Sequence, residues 1–390
     1  PRCQHFAETS SPNGHRFQPL VPLADHTLSP APVAAHRREL VWETLGVRIF
    51  ITGGSGFIGS YFHDLLTQAG HSLVIYDLIE PPFPLKNASY VKGDVRDKAH
   101  LQRSMAGCER VLALAAAHHD FGIAEGTYFA VNETGTRNIC EAMDAHGIRD
   151  LCFYSSCAVF GDSKPPLRED SPTAPNSPYG ASKLAGERAI KPWADKGEGR
   201  RALIIRPTIT FGPRNFANMY SLIRQVHNKR YVQIGPGSNI KSLSYVENIV
   251  SATNFLWMRP ESQRAVFDIF NYIDKPDLTS RKIAEAIYAA LGRKFPAFSV
   301  PMGLGLLLAL PFDVVIKLTG KNLPVSSARV KKLAGTETRF EADKLAAAGF
   351  KPPIPLTEGI ARMVRWYVDE GRHKQAIWHL PPDEPLICAD

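Results

Sequence analysis

The chain has 390 residues, a formal net charge of +8 at pH 7 and a sequence pI near 9.1. With 44% hydrophobic and 22% charged residues it has the composition of a globular protein, long enough for one large core or two modest ones. Its lysines and arginines are scattered, without a long basic run or an aromatic-rich RNA-binding motif, which argues against nucleic acid and suits an anionic substrate or lipid surface.

Residues 1–46 are rich in Pro, Ser, Ala and His, lack sustained periodicity and carry no apolar stretch like that of a secretory signal. They are expected to form a disordered extension. The β-branched run "VRIFI" (47–51) then predicts a strand buried on both faces. After it come the glycine-rich "TGGSGFIG" and a helix on which Phe57, Ile58, Phe62, Leu65 and Leu66 recur until Gly70. In such a strand, turn and helix the first-turn amides and the positive end of the helix dipole face whatever anion lies over the turn. Gly53, Gly56 and Gly59 allow close main-chain approach, so a pyrophosphate is expected there, although glycine clusters also make ordinary loops. The next strand, "HSLVIYDL", ends on Asp77, about 20 residues further on, where an acid meets the ribose hydroxyls of NAD. A carboxylate there repels a 2′-phosphate and no Arg follows it directly, so NAD is expected rather than NADP; Asp77 alone could also cap a surface turn.

Strands and helices continue to alternate: "SYVKGDV", a helix near 100–105, "RVLALAA", one long helix over 126–146, "DLCFYSS", a helix beginning near Tyr179, and "ALIIRP". That rhythm predicts an α/β fold, a doubly wound parallel sheet of the Rossmann type with helices on both faces. Beyond Pro213 it breaks into shorter strands, "KSLSY" and "AVFDIFNY", and the amphipathic helices "SRKIAEAIYAALG" and "TEGIARMVRWYVDEG". The expected map is a dinucleotide-binding domain over 47–213, a smaller C-terminal α/β lobe for substrate over 214–375, and a tail over 376–390. "VPMGLGLLLALPFDVVIKL" (300–318) is nearly long enough to span a bilayer but carries Pro311 and Asp313, so a buried or surface-lying helix is expected. The six cysteines, Cys3, Cys108, Cys140, Cys152, Cys157 and Cys388, form no CxxC pair. Reduced thiols in the cytoplasm fit them better than a disulfide frame or a zinc site.

In "SPYGASKLAGE", Tyr179 and Lys183 lie four residues apart on a predicted helix and share a face. A phenol ordinarily keeps its proton to about pH 10, and a neighbouring ammonium favours the phenolate, which makes the pair a usable general base. Ser155 and Ser156 of "FYSSCAVFG" end a strand, where such folds bind ligands, and a hydroxyl there could hold the reacting oxygen. Two serines closing a strand in a turn is the plainer alternative. Cys157 beside them reads as a packed thiol rather than a nucleophile. His118 and His119 could touch a sugar or diphosphate, with packed or solvent-facing rings as the alternative; no metal site is expected.

The ordered set "TGGSGFIG", Asp77, "GDVRD", "LALAAA", "NETGTRN", "YSSCAVFG", "YGASK" and "RPTITFGPR" resembles the extended short-chain dehydrogenase/reductase family, the NAD-dependent epimerases and dehydratases of sugar nucleotides, over about residues 47–372. The resemblance implies that Gly53, Gly56, Phe57, Ile58 and Gly59 contact the pyrophosphate, Asp77 the adenosine ribose, and Asp94 and Val95 the adenine. It implies Ala115 and Ala116 along the cofactor channel and Pro207 near the carboxamide. Ser156, chosen by counting back from "VFG", would act with Tyr179 and Lys183 in catalysis, Lys183 also holding the nicotinamide ribose. His118, Ser156, Asn218 and Lys241 are expected at the substrate.

Departures from the family pattern narrow the chemistry. The Asp-Glu pair with which the 4,6-dehydratases eliminate water is here Cys157 and Ala158, which disfavours elimination. Ile209 and Lys241 stand where many sugar-nucleotide epimerases place an Asn and a diphosphate-binding Arg. The segments "NMYSLIRQV", "GPGSNIKSLSYVENIV", "NYIDKPDL" and "PVSSARVKKLAGTETRFEADKLAAAGF" are similar to the members of the family that epimerise polyprenol-diphosphate-linked N-acetylglucosamine at C4. The resemblance thus implies a sugar 4-epimerase with tightly held NAD, a nucleotide- or polyprenyl-diphosphate sugar as substrate, peripheral contact with the inner face of a membrane, and a homodimer. A dehydrogenase or ketoreductase on a sugar or 3β-hydroxysteroid-like alcohol is the alternative of the same fold, and a non-catalytic dinucleotide-binding scaffold the alternative of another class.

Overall fold

The computed structural model describes residues 46–119, 122–319, 326–327, 337–375 and 380–388, all within one unit, Leu45–Asp390. The expected disordered extension lies outside the described residues except for Gly46. In chain order the first half runs β1 (Arg48–Thr52), α1 (Phe57–Gln68), β2 (Ser72–Asp77), β3 (Ala88–Lys92), α2 (Lys98–Ser104), β4 (Arg110–Ala113), α3 (Glu125–Phe129), α4 (Gly135–Ala145), β5 (Asp150–Tyr154), α5 (Pro178–Asp195) and β6 (Arg201–Pro207). The second half adds β7 (Ile209–Phe211), α6 (Asn218–His227), β8 (Ile240–Lys241), β9 (Leu243–Tyr245), α7 (Val246–Trp257), β10 (Phe267–Tyr272), β11 (Leu278–Thr279), α8 (Ser280–Ala290), α9 (Met302–Thr319), α10 (Asp343–Ala347) and α11 (Leu356–Asp369).

Seven strands form one parallel sheet in the order β10-β6-β5-β4-β1-β2-β3. The reversal of direction between β1 and β4 is a topological switch point, where the loops leaving the carboxyl ends diverge and open a crevice. Side chains alternate across each strand, so β1 serves two cores. Ile49 and Ile51 pack with Leu73, Leu112 and Cys152 under α1 and α7, whereas Phe50 packs with Val74, Val111 and Leu151 under α2, α4 and α5. The first core runs on through Tyr245, Ile283, Ile360 and Met363, so the C-terminal helices share apolar contacts with the sheet. This is the α/β, doubly wound architecture expected from the sequence.

Three local findings go beyond the sequence reading. The strand "AVFDIFNY", grouped by its sequence with the shorter strands of the C-terminal lobe, joins the main sheet as its edge, with Phe267–Tyr272 in parallel register with residues 202–207 of β6. The α7 crossover that delivers it there covers the same face as α1. The helix expected over 126–146 is interrupted by a π-helical turn, Ala130–Thr134. Its buried Asn132 accepts from Ala117 N at 3.0 Å and donates to Ala117 O at 2.9 Å and to Ser182 Oγ at 2.9 Å, tying the loop after β4 to α5. Finally, α9 lies at the surface, with Leu307 61%, Leu308 59% and Leu318 79% exposed. Among the described residues no helix is long and apolar enough to cross a membrane.

Candidate active site

A cleft of about 790 Å³ lies at the carboxyl ends of the strands, across the switch point. Its floor is the turn after β1. Gly53 has φ +70°, and a Cβ on it would stand 2.5 Å from Ala115 N in the loop after β4. A Cβ on Gly59 would stand 2.3 Å from the Gly54 carbonyl oxygen, so this glycine lets α1 close onto the turn. Gly56 caps α1 without a side-chain hydrogen bond and the first turn carries no acid, which leaves the helix's amides and dipole directed at the cleft. The Asp77 carboxylate at the end of β2 accepts from Ser55 N at 3.0 Å, so the acid is fixed against the glycine turn.

Asp94 and Val95 follow β3 at the same end of the cleft. Arg96 holds the buried Asp94 carboxylate through Nε at 3.0 and 3.1 Å and Nη2 at 2.6 Å. Ala115, Ala116 and His118 line the middle, and the His118 and His119 rings stack with centroids 4.3 Å apart.

At the opposite end the strand β5 delivers Ser155 and Ser156, and α5 delivers Tyr179 and Lys183. The sequence "SPYG" starts α5 where the chemistry needs it. Ser177 Oγ accepts from Gly180 N at 3.1 Å, Pro178 occupies the first turn, and Tyr179 therefore emerges in that turn beside the strand ends. Ser156 Oγ accepts from Ala158 N at 3.1 Å and opens a short 3₁₀ turn, Cys157–Phe160. The buried Ser155 Oγ has no hydrogen-bond partner among the described residues. Lys183, 1% exposed, has its Nζ 4.4 Å from the centroid of the Phe153 ring. Burial lowers its pKa to about 7, opposed by the Glu187 carboxylate one turn on. Glu187 in turn is paired with Arg206 at 2.9 and 2.6 Å in a buried, two-pronged ion pair beneath the site. Pro207 closes β6 at the cleft wall. Cys157 is packed, its thiol donating to Arg206 O at 3.2 Å and pushed far above its ordinary pKa by burial.

One cleft thus lines up Gly53, Gly56, Phe57, Ile58, Gly59, Asp77, Asp94, Val95, Ala115, Ala116, His118, Ser156, Tyr179, Lys183 and Pro207. Asn218 and Lys241 stand outside this lining. Asn218 is the exposed first residue of α6, next to the lining residue Ala217, and Lys241 pairs through β8 with Leu278 and Thr338. Among the described residues, the cations that do line the cleft are Lys183, Arg214 and Lys374. Arg214 has φ +72°, sits 3.1 Å from Asp64 and lies 4.6 Å over the Tyr61 ring. Lys374 sits 2.5 Å from Glu370. Sequence reasoning did not assign either one. Arg214 had a signal in the "GPR" that follows β7; Lys374 had none.

The glycine turn, the acid after β2 and the length of the cleft fit a dinucleotide. Residues 49–271 match the model of the NAD dependent epimerase/dehydratase family. The chain is 36% identical over 319 residues, 82% of this chain and 94% of the relative, to the N-acetyl-alpha-D-glucosaminyl-diphospho-ditrans,octacis-undecaprenol 4-epimerase of Escherichia coli O157:H7. Among solved structures, the Bordetella bronchiseptica enzyme WbmG in complex with NAD matches with a TM-score of 0.66 and 19% identity, covering 85% of this chain and 97% of that one. A UDP-galactose 4-epimerase matches with a TM-score of 0.63 and 24% identity, covering 83% and 99%. These two likenesses show the fold.

Proposed function

The chain belongs to the NAD-dependent epimerase/dehydratase family, and from that premise we propose that it is a 4-epimerase of a diphosphate-linked N-acetylhexosamine, carried on a polyprenol. The observation that carries this reading is the 36% identity to a 4-epimerase along nearly the whole of that relative, together with a cleft whose lining includes Ser156, Tyr179 and Lys183. NAD bound over the glycine turn supplies the reversible acceptor for the hydrogen at C4 of the sugar.

The chain's own residues handle the proton. Tyr179, as phenolate, takes the C4 hydroxyl proton as the carbonyl forms and returns it when the sugar is reduced from its other face. Ser156 donates a hydrogen bond to the same oxygen and fixes it within reach of the phenol. Lys183, positively charged once it gains partners in the loaded site, favours the phenolate and holds the nicotinamide ribose. Cys157 and Ala158 offer no acid or base for loss of water, so the keto sugar keeps its substituents and only its C4 configuration changes. Arg214 and Lys374 draw the diphosphate to the mouth of the cleft, with Asn218 and Lys241 further out along the carrier.

We further read the protein as a homodimer, on family resemblance, and as a peripheral protein of the cytoplasmic membrane face. The apolar outer surface of α9 supports the membrane contact. So does its sequence setting: between residues 286 and 336 the acid is Asp313 alone, against Arg293, Lys294, Lys317, Lys321, Arg329, Lys331 and Lys332. The test is incubation of purified protein with undecaprenyl-diphosphate GlcNAc and, separately, UDP-GlcNAc, reading epimer and NADH together. Epimer without net NADH is expected from the lipid-linked donor. Steady NADH accumulation would make the protein a dehydrogenase, and epimer from UDP-GlcNAc alone would remove the lipid carrier.

A further inference from the structure

We propose that residues 380–388 are part of the cofactor site, a strap across the adenine end of the cleft that slows release of NAD. The proposal rests on the family's cofactor and on nothing about the sugar.

The segment reads "LPPDEPLIC", with Pro381, Pro382 and Pro385 holding it extended and unable to add helix. Its main chain is fastened to the loop that follows β3. Leu386 N donates to Asp94 Oδ2 at 3.1 Å, and Cys388 N donates to Asp97 Oδ2 at 3.1 Å. The Arg96 guanidinium, which already grips Asp94, donates to the carbonyls of Asp383 at 3.0 Å and Glu384 at 3.1 Å. On the other side, Thr127 Oγ1 of α3 donates to Asp383 Oδ1 at 3.0 Å. Pro381 is the buried member of the segment, and it lines the cleft together with Asp94 and Val95.

These attachments have a common address. Each reaches α3 or the loop after β3, where the adenine is expected. Residues 382–385 and 387 are exposed, so the segment adds little to either core. Its polar ties instead hold Pro381 against the rim that a departing adenine must pass. Several are charge-assisted, the stronger class of hydrogen bond. A segment of this kind changes the rate of cofactor exchange far more than the stability of the fold, and that separation makes it testable.

The experiment compares the full chain with a chain lacking residues 380–390 and with full-length Leu386→Pro, which deletes the amide donor to Asp94 while leaving the rest of the segment's sequence in place. Each protein is loaded with NAD and freed of excess. Dissociation is then followed after addition of ADP-ribose as a trap, with melting temperature recorded in parallel. The truncation is expected to speed release at least tenfold and Leu386→Pro about threefold, with melting of the cofactor-free proteins nearly unchanged. Equal release rates in all three would overturn the strap while leaving the enzyme reading intact. Failure of the full chain to bind NAD at all would overturn both. Should the truncated chain not fold, the Leu386→Pro rate decides alone.

Discussion

Replacing Lys183 with Met tests how the site stores electrostatic energy. Lys183 is 1% exposed, and burial lowers its pKa from 10.5 to about 7 in the cofactor-free protein. At about 1.4 kcal/mol per pH unit, that fall corresponds to about 5 kcal/mol of unfavourable burial of the charged form. The sign follows from proton counting. Between pH 7 and 10.5 the unfolded chain binds a proton at this residue that the folded chain does not, so the contribution of Lys183 to stability rises with pH across that window. Methionine keeps much of the length and removes the titration. Cofactor-free Lys183→Met is therefore expected to be more stable than wild type by about 5 kcal/mol at pH 6, and by about 2 kcal/mol at pH 9. The assay is urea unfolding of both stripped proteins at the two pH values, with NAD then added. NAD should narrow the gap, because its ribose hydroxyls give the wild-type ammonium partners that the variant cannot use. A gap that does not change between pH 6 and pH 9, or a wild type more stable at both, would refute the argument.

Tyr179→Phe should lower kcat by about 100- to 10,000-fold with NAD binding retained, read as epimer formation beside cofactor titration. Gly59→Ala puts a methyl 2.3 Å from the Gly54 carbonyl oxygen and should weaken NAD binding at least tenfold, measured by equilibrium titration; unchanged affinity would mean that the glycine turn is not the pyrophosphate site. Glu187→Gln leaves the Arg206 guanidinium buried without its carboxylate and should destabilise the protein by about 3–5 kcal/mol in urea unfolding. Leu307→Asp with Leu310→Asp, at positions 61% and 51% exposed, should abolish co-sedimentation with anionic vesicles while leaving melting nearly unchanged; persistent sedimentation would move the membrane contact away from α9.

The sequence by itself determined the doubly wound architecture and many of the residues that line its cleft. Short continuous apolar strands alternating with period-3.6 helices admit little besides a doubly wound sheet, and the glycine turn, Asp77, Ser156, Tyr179 and Lys183 sit at spacings that this fold brings to the strand ends. These are short-range signals, each written within one element and its turn. Tertiary structure alone decided what depends on contacts between distant segments. The π turn places Asn132 on Ala117 and Ser182, and the crossover carries β10 to the sheet edge. Burial of Lys183 comes from helix packing that no local pattern records. The expected tail over 376–390 is the clearest case. Proline spacing gave residues 380–388 no periodic signal, yet their amides find the carboxylates of Asp94 and Asp97, nearly 300 positions earlier in the chain. Polar main-chain pairing of that range is invisible to periodicity, because it depends on where two loops end rather than on which residues repeat.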